Sequence, residues 1–143
     1  MKRLILILVV DDESAIRSPL QRLLEKGLST AEVKIEVSCA GDVMEAKGIL
    51  SGFVFDLILT DVSMPGGTGL DLLQFVKESP AHKETPVCLM SGRFGNYTDD
   101  PRVGQSAAVF QKPFQHGCKD LIETIAALLR ISPENQESGD KTT

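Results

Sequence analysis

Asp61 closes the apolar run Leu57-Ile58-Leu59, and Pro65, Gly66, Gly67 and Gly69 follow it closely. The run reads as a buried strand that hands a carboxylate to a loop at its carboxyl end. Open α/β sheets place their ligand chemistry at such ends. Three other stretches finish in the same way. Arg3 to Val10 leads into Asp11-Asp12-Glu13, Pro86 to Met90 delivers Ser91, and Val109-Phe110-Gln111 ends on Lys112-Pro113. Singly, each has a plain structural reading: an acidic helix cap, a loop serine, a solvated strand end. Only their joint occurrence at four strand ends points to chemistry.

Three carboxylates at one sheet edge, Asp11, Asp12 and Asp61, cannot all ionise comfortably without a cation, because like charges raise one another's pKa. Oxygen-only ligands suit a hard ion, Mg²⁺ or Mn²⁺. Such an ion neutralises the oxygens of an incoming phosphoryl group, and a carboxylate can accept that group as an aspartyl-phosphate. Lys112 can then pair with phosphoryl oxygens and the Ser91 hydroxyl can donate to another. The Gly66-Gly67-Thr68-Gly69 loop lacks the spacing of a nucleotide-binding P-loop and reads as a strand-to-helix turn.

Five strands alternating with helices must present these groups together. Strand one, about Arg3 to Val10, is apolar on both faces, as the centre of a parallel sheet requires. Ile16, Leu20, Leu23 and Leu24 give the next helix one apolar face. Pro19 leaves two starts open, either Ser18 capping a helix that begins at Pro19 or a longer helix from Ser14 that contains it. Gly27 reads as its stop. Ile35, Val37 and Cys39 alternate in strand two. Asp42 reads as the cap of a short helix ending near Gly52. Strand three is Phe55 to Thr60, and Leu70, Leu73 and Val76 face helix three inward. Between Ser91 and Ala107 a helix is poorly written, since Gly92, Gly95, Asn96, Pro101 and Gly104 all oppose one. Leu121, Ile122, Ile125, Leu128 and Leu129 make the last helix.

The fold class expected is α/β, a five-stranded parallel sheet with helices on both faces. Residues 1–131 form the domain, and 132–143 read as a polar, flexible tail. A net charge of −5 with no basic cluster longer than Lys2-Arg3 argues against a nucleic-acid or acidic-membrane surface. Cys39, Cys88 and Cys118 are odd in number and lack C-x-x-C spacing, which suits free thiols in a reducing cytoplasm. The first apolar run is too short to span a bilayer and lacks a cleavage site. His82 and His116 are isolated.

Val9-Val10-Asp11-Asp12-Glu13, the Leu59 to Gly69 stretch, Leu89-Met90-Ser91-Gly92 and Gln111-Lys112-Pro113-Phe114 together resemble the receiver domain of two-component response regulators. The resemblance covers about Lys2 to Ile131. It implies a flavodoxin-like sheet of strand order 2-1-3-4-5, with Asp61 as phosphoacceptor. It also implies Mg²⁺ on Asp12, Asp61 and the Ser63 carbonyl, with Asp11 assisting through water. Ser91 and Lys112 would respond to the phosphoryl group, and the Lys112-Pro113 bond would be cis. Ser63 and Arg93 would flank the path of attacking water, Arg93 shielding the phosphoryl group. The implied donor is a sensor histidine kinase or phosphotransfer protein, and the implied receiver of the signal is a downstream effector protein or output domain. The chain would be a cytoplasmic monomer or weak dimer, with no catalysis beyond self-phosphorylation and autodephosphorylation.

The chain departs from the family at two points. Val109 stands where Tyr or Phe usually precedes the lysine by three positions, and the Ser91–Lys112 interval is one residue short. Phe110 is no obvious substitute, since adjacent strand residues point to opposite faces. Phe94 and Tyr97 remain candidates for that role. The alternative is a Mg²⁺-dependent aspartate-nucleophile phosphohydrolase, but such enzymes carry D-x-D after strand one, where this chain has adjacent Asp11 and Asp12. A flavin carrier on the same fold is opposed by the site carboxylates, which would repel its phosphate.

Overall fold

The computed structural model describes residues 2–64, 66–92, 99–112 and 119–132. Expectations about Pro65, Arg93, Phe94, Tyr97, the Lys112-Pro113 bond, His116, Cys118 and the tail from Pro133 lie outside them. Five strands form one parallel sheet in the order β2-β1-β3-β4-β5. They are β1 (Arg3–Val10), β2 (Val33–Ala40), β3 (Leu57–Asp61), β4 (Val87–Ser91) and β5 (Ala108–Gln111). Parallel neighbours need crossovers, and α1 (Ser14–Leu28), α2 (Val43–Leu50) and α3 (Gly69–Glu78) supply them, while α4 (Lys119–Leu129) follows β5.

Side-chain alternation along the strands divides the core in two. Ile5, Ile7 and Val9 of β1 join Leu57, Leu59, Cys88 and Met90 beneath α1 and α4. Leu8 and Val10 face the other way, with Ile58, Val87 and Leu89, beneath α2 and α3. β3 and β4 are buried along their whole length, as expected for strands covered on both faces. The outer edge of β2 is blunted by α1. Ser29 Oγ accepts from Ile35 N–H at 3.3 Å and Glu25 Oε2 from Val37 N–H at 3.1 Å, so those donors are not offered to another strand.

The longer form of α1 is the one adopted, with Pro19 inside it. Proline there cannot donate to the Ala15 carbonyl, and both residues are exposed, so water can satisfy that oxygen. Gly27 is not a helix stop. It lies within α1, where a Cβ would come within 2.9 Å of Ile122 Cδ1, so its smallness serves the approach of α4. Asp42 does cap α2, accepting from Glu45 N–H at 2.7 Å. Thr68 and Asp71 form a reciprocal capping box at the start of α3. Between β4 and β5 the described residues hold a short 3-10 helix, Pro101–Gln105, and no α-helix, in keeping with the helix-averse composition of that stretch.

Candidate functional site

Register brings the site together. Val10 pairs with Thr60 and Asp61 pairs with Met90, so Asp11 follows abreast of Asp61 and Ser91 lies one residue beyond. Backbone bonds continue the ladder past the strands. Asp11 N–H donates to Ala40 O at 3.0 Å, Val62 N–H to Met90 O at 2.9 Å and Lys112 N–H to Ser91 O at 2.7 Å. Asp11, Asp12 and Asp61 each offer a carboxylate oxygen, all within 4.8 Å of one another. Asp11 and Asp61 are buried, whereas Asp12 is exposed. A pocket of oxygens open on one side fits a hard cation that keeps several waters.

Lys112 reaches into this cluster from the end of β5. Its Nζ lies 2.8 Å from Asp11 Oδ2, 3.3 Å from Asp61 Oδ2 and 4.0 Å from Glu13 Oε1, with the lysine side chain 8 % exposed. Burial opposes its charge, but the hydrogen bond to Asp11 and the charges of Asp61 and Asp11 together hold its pKa above the usual lysine value. For Asp61, burial is the largest influence and raises the pKa. Lys112 and the Ser63 backbone N–H lower it, Asp11 raises it, and the net shift is upward. A buried carboxylate held by one cation is poised to gain from a second.

Both carboxylate oxygens of Asp11 and its carbonyl already have a partner. Its Oδ1 accepts from Glu13 N–H at 3.0 Å, its Oδ2 takes Lys112, and its carbonyl accepts from Arg17 Nη1 at 2.6 Å. Asp12, with no such ties among the described residues, is the more available ligand. Ser63 is exposed two residues beyond Asp61, and Ser91 is buried at 8 % exposure. Gly69 closes the loop behind Asp61. Its N–H donates to Val62 O at 2.9 Å, and any Cβ there would overlap the Asp61 carbonyl oxygen. On β5, Val109 is 43 % exposed, while Phe110 packs with the α1/α4 cluster on the opposite face. In the sequence Arg17 is not singled out, and Gly69 reads only as a glycine of the strand-to-helix turn. A basic residue on the first turns of a helix after an acidic pair, and the last glycine before a helix, were the available signals.

The response regulator receiver domain model matches residues 7–125. The response regulator protein PilR of Pseudomonas aeruginosa is 36% identical over 135 residues, covering 92% of this chain and 28% of PilR. Protein PetR of Rhodobacter capsulatus is 34% identical over 138 residues, covering 94% of this chain and 53% of PetR. The chain thus spans about half or less of the length of these relatives. Among solved structures, the chemotaxis response regulator CheY4 of Vibrio cholerae superposes with a TM-score of 0.73 at 25% identity, over 88% of this chain and 99% of CheY4. The response regulator TrrA of Thermotoga maritima, in complex with Mg²⁺ and BeF, gives 0.70 at 29% identity, over 90% of this chain and 99% of TrrA. The acidic cluster of Asp11, Asp12 and Asp61 matches the Mg²⁺ site of such domains. Strand order, acidic cluster and family match agree: the chain belongs to the receiver domain family of response regulators and is a phosphoacceptor module of two-component signalling.

Proposed function

We propose that Asp61 takes a phosphoryl group from a phosphohistidine of a sensor kinase or phosphotransfer protein and thereby switches binding of a downstream effector protein or output domain. The observation that carries this is the site itself, a 5 % exposed carboxylate grouped with two others and 3.3 Å from a buried lysine. Asp12, Asp61 and the Ser63 carbonyl would hold Mg²⁺, with Asp11 acting through water, consistent with both its carboxylate oxygens being engaged already. When bound, the cation would supply positive charge beside the phosphoryl oxygens. An Asp61 oxygen bonds to phosphorus while the P–N bond to histidine breaks, its electron pair returning to the imidazole. Lys112 is freed from Asp61 to pair with the transferred group, and the Ser91 hydroxyl donates to it. No described helix is long and apolar enough to cross a membrane, and we place the module in the cytoplasm as a monomer or weak dimer.

Intact mass after incubation with Mg²⁺ and a small phosphodonor tests this reading. One phosphoryl group should add to the native chain, none to Asp61→Ala, and labelling should slow in Asp12→Ala. Undiminished labelling of Asp61→Ala refutes the assignment.

A further inference from the structure

The 3-10 helix Pro101–Gln105 stands between β4 and β5, and among the described residues two of its side chains reach the α2/α3 side of the body. Val103 packs against the α2/α3 cluster. Arg102 is the second. Its Nε lies 3.1 and 3.2 Å from the two oxygens of Asp100, and its Nη2 lies 2.8 Å from Asp100 Oδ2. Its Nη1 crosses to α3, 3.0 Å from Asp71 Oδ1 and 3.0 Å from Gln74 Oε1.

Asp71, in the first turn of α3, is already bonded to the end of the loop that follows Asp61. Its other oxygen, Oδ2, accepts from Thr68 N–H at 3.1 Å, and its own N–H donates to Thr68 Oγ1 at 3.1 Å. Gly69, next to Thr68, lies directly on the Asp61 carbonyl. Thus one carboxylate joins the capping box behind Asp61 to the guanidinium that organises the 3-10 helix. A planar fork with three partners fixes direction as well as distance, which a lysine ammonium would not.

We propose that Arg102 is a positioning residue that couples the Asp61 site to residues 99–106, its ion pair with Asp71 carrying displacements of residues 66–68, at the end of the loop after Asp61, to that stretch. The inference rests on Asp61 being the phosphoacceptor. It gives the chain a polar link on the face where Val109 is half exposed and offers no aromatic reporter. The Arg102 and Asp71 side chains are 29% and 51% exposed, so salt should weaken the link.

The test compares backbone amide spectra of the full chain with and without Mg²⁺ and beryllofluoride, for the native protein, Arg102→Gln, Asp71→Asn and the double variant. In the native protein the mimic should shift residues 102–105 as well as Asp61 and Lys112. In either single variant the shifts at 102–105 should fall to less than about half, with those at Asp61 and Lys112 kept, and the double variant should lose no more than either single one. Arg102→Lys should restore little of the response. A purely structural role would lower the urea midpoint and leave the shifts at 102–105 at native size; that result in both single variants overturns the proposal. Phosphorylation of Asp61, read separately by mass, decides the phosphoacceptor reading, so failure of the one is distinguishable from failure of the other.

Discussion

Replacing Lys112 with Met removes the one cation within 4.0 Å of the Asp11 and Asp61 carboxylates among the described residues while keeping most of the side-chain volume. At an effective dielectric of about 20, contacts of 2.8 and 3.3 Å are each worth roughly 5–6 kcal/mol of gross Coulomb attraction, before desolvation of the charges is subtracted. Removing one partner of a buried pair typically costs about 3–5 kcal/mol. The cost here falls toward the lower end, because Asp61 can take up a proton and Asp12 opens the site to water. We expect Lys112→Met to lose about 2–4 kcal/mol at pH 7 in chelator, read from urea unfolding midpoints. Mg²⁺ should then restore more stability to the variant than it adds to the native protein, since the ion meets two buried carboxylates with no competing ammonium. Equal Mg²⁺ increments in the two proteins, or a variant as stable as the native chain in chelator, would refute the electrostatic account of the site.

Acid should act on Asp61 in the direction opposite to a salt-bridged surface acid. Its folded pKa is raised, so its contribution to stability is full below the unfolded value of about 3.9 and is lost as pH rises through the folded value. Asp61→Asn should therefore be more stable than the native chain at pH 7, with the gap closing toward pH 4 in metal-free urea titrations. Gly69→Ala should cost about 1–3 kcal/mol or more, because the added Cβ meets backbone at Asp61 rather than a side chain that can move. Gly48→Ala, in open space on α2, should instead gain up to about 1 kcal/mol in the same assay. Burial pushes the Cys88 thiol up to about 12, so alkylation mapped by mass at pH 8 should leave it unmodified until the chain is unfolded.

How much of this was legible beforehand follows from the range over which each feature acts. Strand runs, the Asp42 cap, the apolar faces of α3 and α4 and the unfavourable stretch before β5 are local, and their residue types and periods could be read directly. The four strand ends also announced Asp11, Asp12, Asp61, Ser91 and Lys112, because any doubly wound sheet brings those ends to one edge. Gly27 reads as a stop from sequence but lies inside α1, since a glycine near a helix end looks alike whether it terminates the helix or admits a neighbour such as Ile122.

Tertiary structure alone decided how the converging residues differ. Adjacent Asp11 and Asp12 are chemically identical in the sequence, yet one is buried on Lys112 and the other is exposed. Lys112 and Asp11 stand 101 positions apart, and Arg102 and Asp71 stand 31 apart, so neither ion pair leaves a periodic or spacing signal. Composition and pattern determined which groups this chain could bring to a sheet edge. Burial and distance, which exist only once the strands are in register, determined which carboxylate is held by lysine, which is open to a cation, and which side chain ties the loop behind Asp61 to the neighbouring segment.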